Sequence, residues 1–145
     1  MVVKREKELG RVKVEVELAN NDDISAVRRG DLAVEKVRRV KVEAIVDTGA
    51  THLILPTRIA KQLGLPVVRK VKVTYANHKS TQRDLVEGVY LDLLGRHSVF
   101  RACLEPKRET ALIGAIVLED LDFLVDPGKE RIYPRDPEAE VSFAE

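Results

Sequence analysis

The chain has 145 residues, 25 Lys and Arg against 24 Asp and Glu, and a formal net charge of +1. At 44% hydrophobic and 34% charged it can bury a sizeable core, which excludes wholesale disorder, and its near-zero balance is not that of a dedicated nucleic-acid or anionic-membrane binder. One cysteine, Cys103, excludes an intrachain disulfide and a Cys-rich zinc module, no apolar run reaches membrane-span length, and Met1–Lys7 lacks the apolar stretch of a signal peptide, so the cytoplasm is the expected compartment.

From Gly10 to Leu18, Val12, Val14, Val16 and Leu18 alternate with Lys13, Glu15 and Glu17, the period-two mark of a half-buried strand. Asn20-Asn21-Asp22-Asp23 reads as a turn, because these side chains bond their own backbone. Residues 24–37 fit no single pattern, with a turn at Gly30-Asp31. Val40, Val42, Ala44 and Val46 alternate again, and this second strand runs straight into Asp47-Thr48-Gly49-Ala50-Thr51. His52 to Leu55 is a short strand stopped by Pro56. Thr57 to Leu63 follows as a two-turn helix with Gly64 as a left-handed cap. Val67 to Tyr75 and Val86 to Leu94 make a long hairpin around the polar turn Ala76-Asn77-His78-Lys79-Ser80. Ser98 to Leu104 is a further strand, Ala111 to Ala115 an apolar run containing Gly114, and Ile116 to Leu121 a short helix. Phe123–Val125 and Arg131–Tyr133 flank the hairpin loop Asp126-Pro127-Gly128-Lys129. Many short strands at regular spacing predict an all-β barrel in one domain, 1–145, with residues 1–9 and 136–145 as flexible tails.

A carboxylate at the end of a buried strand is costly to keep, because low dielectric disfavours charge, so Asp47 is the residue to explain. Thr48 adds a hydroxyl, and Gly49 lets a substrate or a second chain approach the backbone.

The run apolar-apolar-Asp47-Thr48-Gly49-Ala50 resembles the active-site loop of retropepsin-like aspartic proteases of the viral-protease type. Leu112-Ile113-Gly114, ending 67 residues after Asp47, matches the second mark of that family, an apolar-apolar-Gly run. The hairpin around Asn77-His78 stands where the family has its flap, and the likeness extends from about Gly10 to Pro134. It implies a closed or partly closed β-barrel of the retropepsin type with one or two short helices, working as a homodimeric endopeptidase on extended peptides. Two carboxyls sharing a proton activate a water in such enzymes. This chain has one Asp-Thr/Ser-Gly, since Asp126-Pro127-Gly128 offers neither hydroxyl nor N–H at its centre. The second acid must then be Asp47 of another copy, brought to a two-fold axis. Thr48 would brace the paired loops, Gly49 and Ala50 would line the cleft, and Thr51 would belong to the loop's support. Ile113 and Gly114 would support the loop from behind, and Ala76, Asn77 and His78 would form the substrate flap. Neither cofactor nor metal is implied, and no nucleic-acid or membrane partner.

Ala50 cannot donate a hydrogen bond to the carboxylate as a hydroxyl there would, which places the expected working pH at mildly acidic to near neutral. The chain departs from the viral pattern in three ways. Ala115-Ile116 replaces the usual Arg-Asn after the glycine, so another contact must hold the loop; the flap tip has no glycine; and the N-terminal part through Val37 is longer.

Plainer readings stand beside these. Asp47 could cap a turn, and the barrel could be a catalytically silent dimerisation or peptide-binding module, or an enzyme restricted to one partner protein. His52 reads as a half-exposed packing residue more readily than a substrate contact, His78 as a solvated turn residue or a gate, and His97 as a surface turn residue. Cys103 reads as packing rather than as a nucleophile, and the three histidines with Cys103 lack ligand spacing. The basic stretch Arg28-Arg29 and Lys36–Lys41 reads as a solvated strand face. Val141-Ser142-Phe143 could pair at a dimer interface or fray.

Overall fold

The computed structural model describes residues 12–137; residues 1–9 and most of the acidic tail, with the pairing segment at Val141–Phe143, lie outside them. β1 (Val12–Asn20) buries Val12, Val16 and Leu18, and β2 (Arg39–Val46) alternates as its sequence does, exposing Arg39, Lys41 and Glu43. The two pair antiparallel from Val12↔Val46 to Ala19↔Arg39. β3 (Leu53–Pro56), β4 (Val67–Thr74), β5 (Ser80–Leu93), β6 (Arg96–Glu105) and β7 (Ala111–Ile113) complete the main sheet. Its order is β1-β2-β7-β3-β6-β5-β4, and β1 also pairs with β5 through Leu18↔Leu91. The first six therefore close into a ring, and β4 stands outside it as an arm on β5. Closure leaves few strand edges to satisfy. The inward faces fill the barrel with Leu18, Leu53, Leu55, Leu91, Leu93 and Ile113, all essentially inaccessible to solvent.

Among the described residues three helices flank the ring, one more than the sequence pattern predicts. α2 (Thr57–Leu63) buries Ile59, Ala60 and Leu63 and ends on Gly64 at φ 64°. α3 (Ala115–Leu121) buries Val117, Leu118 and Leu121. The unforeseen helix is α1 (Asn21–Arg28), and it corrects the reading of residues 20–23 as a turn. Asn20 is its N-cap: the side-chain oxygen accepts from Asp23 N–H at 3.0 Å, while Nδ2 donates to the Leu63 carbonyl at 2.8 Å. The same polar residues that favour turns favour helix starts, and the long-range partner decides. No α1 residue is buried, so no apolar stripe announces it. A single 3₁₀ turn (Val34–Lys36) leads back to β2. β8 (Phe123–Asp126) and β9 (Arg131–Pro134) form the separate hairpin the pattern predicts.

Three of the six cations of the basic stretch are paired locally: Arg29 with Asp31, Arg38 with Asp23, Arg39 with Glu17. Because β1 runs from Val12, beside Val46, to Asn20, near Arg39, the α1 excursion lies at the barrel end roughly 25 Å from Asp47. The extra length between β1 and β2 therefore does not obstruct that residue.

Candidate active site

Asp47 stands one residue beyond the last ladder position of β2, where the chain leaves the sheet. Its N–H donates to the Ile113 carbonyl at 3.0 Å, extending the parallel β2–β7 pairing by one bond. The loop then turns tightly. Ala50 N–H donates to Asp47 O at 3.1 Å, and Gly49 N–H donates to Asp47 Oδ1 at 2.9 Å, which fixes the carboxylate's direction. Beyond the loop, Ala115 N–H reaches Ala50 O at 2.8 Å and Ile116 N–H reaches Thr51 O at 3.0 Å. These two backbone bonds are the loop support that the absent Arg-Asn left to be found, and they need no particular side chain.

Gly114 is required by space. A Cβ there would lie 2.5 Å from the His52 carbonyl oxygen and 2.8 Å from that of Ala50. The two loops cross at backbone contact, so Asp47-Thr48-Gly49 and Leu112-Ile113-Gly114 form one unit. Ile113 is fully buried behind it, whereas Thr48, Gly49 and Thr51 face solvent and Asp47 is half-buried. The barrel thus encloses Asp47 only in part, short of the low-dielectric surroundings anticipated for it.

The loop forms one wall of a cleft of about 610 Å³. Asp47, Gly49, Ala50, Thr51 and His52 line it at one side; the inner face of the β4–β5 arm covers it with Val71, Val73, Tyr75, Arg83 and Leu85. Ile54 and Cys103, register partners across β3 and β6, lie on its floor. The lining mixes apolar side chains with charged ones, Arg69, Lys72 and Arg101 standing among the valines.

The arm's turn brings only part of the sequence-predicted flap to this cleft. Ala76 lines it, while Asn77 and His78 are exposed and stand off its walls. Lacking a glycine, the tip uses His78 at φ 65° and an Asn77 side chain that accepts from Lys79 N–H at 3.0 Å. His52 is exposed and lines the cleft. His97 lies in β6, exposed, its ring 5.2 Å from that of Tyr90. Burial pushes the Cys103 thiol up, so it stays protonated and serves as apolar floor. Among the described residues no three His, Cys, Asp or Glu side chains gather as a metal site would need.

Sequence reasoning missed most of the covering wall. Tyr75 donates its phenol to Glu105 Oε1 at 3.2 Å and accepts from Arg83 Nε at 3.3 Å, tying the arm to the end of β6. The alternation of Val71, Val73 and Tyr75 marked one face of a strand, but nothing local said that this face looks at Asp47.

Comparison with known proteins adds three findings. The family model for gag-polyprotein aspartyl proteases matches residues 33–120, more than half of the chain, from before β2 through most of α3. Among solved structures, the solution structure of the simian foamy virus (mac) protease is similar at 16% identity over 75% of this chain and 93% of that one, with a TM-score of 0.49. No curated protein sequence matches. The matched segment contains both the Asp47 loop and Gly114, the two strands that meet at their crossing, and the whole of the arm.

Proposed function

This chain belongs to the gag-polyprotein aspartyl protease family, and we propose that it is an aspartic endopeptidase whose dyad is Asp47 from each of two copies. The observation that carries the reading is the build of the Asp47 loop. A lone half-exposed carboxylate, its Oδ1 held by Gly49 N–H, sits at the mouth of a cleft under a hairpin arm. One such acid cannot act alone in this chemistry. Two carboxyls within hydrogen-bond reach share a proton; the ionised one takes a proton from water as it attacks the scissile carbonyl, and the protonated one hydrogen-bonds that carbonyl oxygen. The pair titrates as a unit. The exposure of Thr48 and Gly49 fits a loop whose remaining contacts come from an identical loop across a two-fold axis.

An extended peptide would lie between loop and arm, with backbone bonds for affinity and side-chain pockets for choice. The compartment proposed is the cytoplasm, where a single unpaired thiol keeps well.

The test is cleavage of a peptide library across pH 3–8, together with sedimentation of the purified protein. We expect pepstatin-sensitive cleavage, greatest at mildly acidic to near-neutral pH. Its specific rate should fall on dilution through the dimer dissociation range, and Asp47→Asn should lower it by at least ~10³-fold. Cleavage that persists in Asp47→Asn, or a fully active monomer, overturns the proposal. Dimers that bind peptides without cutting them would mark the chain as a silent peptide-binding module.

A further inference from the structure

Two residues that line the cleft beside Asp47, Arg83 and Glu105, also wall a neighbouring notch of about 480 Å³, together with Pro106-Lys107-Arg108 just beyond β6. The ionisable wall is three cations and one acid. That acid is already engaged: Glu105 Oε1 accepts from the Tyr75 phenol at 3.2 Å, and Oε2 faces Arg108 Nη1 at 3.5 Å. Arg83 spends its Nε on a neutral oxygen, that of Tyr75, at 3.3 Å. Among the described residues neither Arg83 nor Lys107 has a carboxylate at ion-pair distance. Arg108 is held by Glu105, and its buried Nε meets no acceptor among the described residues.

Two cations without a carboxylate partner, in a recess roomy enough for a side chain, suit a carboxylate, which takes charge-assisted and often two-pronged hydrogen bonds from arginine. An extended peptide turns every second side chain to the same wall. One acidic position can thus enter the notch while its neighbours meet the apolar wall of Val71, Val73 and Leu85. Resting on the proteolytic reading above, we infer that the notch is a subsite selecting substrates with Glu or Asp near the scissile bond, with Arg83, Lys107 and Arg108 as its specificity-determining residues.

The experiment scans Glu against Gln through each position of a cleaved peptide, reading the Glu/Gln ratio of kcat/KM. One position should favour Glu roughly tenfold. Arg83→Gln should bring that ratio towards one, and Lys107→Glu should turn the preference towards Lys at the same position. Because a ratio is read, a general loss of activity in either variant does not mimic the effect. In parallel, the same peptides are titrated onto Asp47→Asn protein by calorimetry, which needs no turnover. A Glu preference in binding without cleavage by the native protein supports the subsite and sinks the proteolytic reading. Cleavage with a Glu/Gln ratio near one at every position overturns the subsite and leaves that reading intact. Absence of both cleavage and peptide binding overturns the two together.

Discussion

Asn20 is the one fully buried polar side chain among the described residues, and it joins the start of α1 to the end of α2. Three residues on, Asp23 receives Arg38 through Nε at 2.8 Å, Nη2 at 2.9 Å and the backbone N–H at 3.0 Å. The Arg38 guanidinium, first by its hydrogen bonds, holds the Asp23 carboxyl down from the ordinary 3.8 to about 2. A depressed acid stabilises the fold above its unfolded value, and that stability is lost as pH falls through the folded one. The native chain should therefore exceed Asp23→Asn in stability at pH 5–7 by about 1 kcal/mol, a figure discounted because Arg38 is half exposed. The two should converge between about pH 4 and pH 2, and urea unfolding at a series of pH values measures this. Neither clamp was legible in the sequence. The cluster Asn20-Asn21-Asp22-Asp23 shows only a local taste for backbone bonds; the partners that turn it into a helix cap lie at Arg38 and Leu63, beyond any local pattern. Asp47 was legible, because its meaning lies in its immediate neighbours and in one recurring run, Leu112-Ile113-Gly114.

The β4–β5 arm was readable as a hairpin from alternation alone, yet its irregularities were not. Slippage in the Val67–Tyr75 pattern corresponds to a register shift between Val67 and Arg69, and a second shift falls between Val86 and Val89, with Gly88 at φ 73°. Both bulges bend the strands that cover the cleft, as bulges beside functional sites do. β5 also begins at Ser80, ahead of its apolar run, because Thr81 to Asp84 pair with β4 and need no buried face of their own. The arm's tip is moored to the end of β6 by the Tyr75 phenol's bond to Glu105, and Arg83 of the arm itself holds that phenol. Tyr75→Phe keeps the ring and removes both bonds. Faster amide exchange at residues 74–80, with global stability lowered by no more than about 1 kcal/mol, is the expected result. Unchanged exchange there would mean that the tip's own bonds, Tyr75 N–H to Lys79 O and the Thr74–Ser80 hydroxyl pair, set its mobility.

The ring itself depends on two parallel pairings, β2 with β7 and β3 with β6, that thread past each other where Gly114 meets His52 and Ala50. Strand order of this kind is not contained in alternation, which says that a residue faces inward and not which strand lies beside it. It became foreseeable only through the resemblance carried by the Asp47 and Gly114 runs. The crossing leaves no room for adjustment, since the atoms nearest an added Cβ are backbone. Gly114→Ala should cost about 3 kcal/mol or more, a sharp loss in urea midpoint. It should also disrupt the Ala115–Ala50 bond, visible as lost exchange protection at Ala115. An equal midpoint for the two proteins would show that the loops can part without harm.

The short β7 has a consequence in time. Ile113 follows Asp47 by 66 positions, so during synthesis at about 5–20 residues per second the acid emerges roughly 3–13 s before the strand that anchors it has even been made. Over that interval a nascent chain carries an ordinary aspartate on an unfinished turn. Whatever chemistry the residue performs is withheld from the ribosome's own surroundings until that strand has been made and has paired.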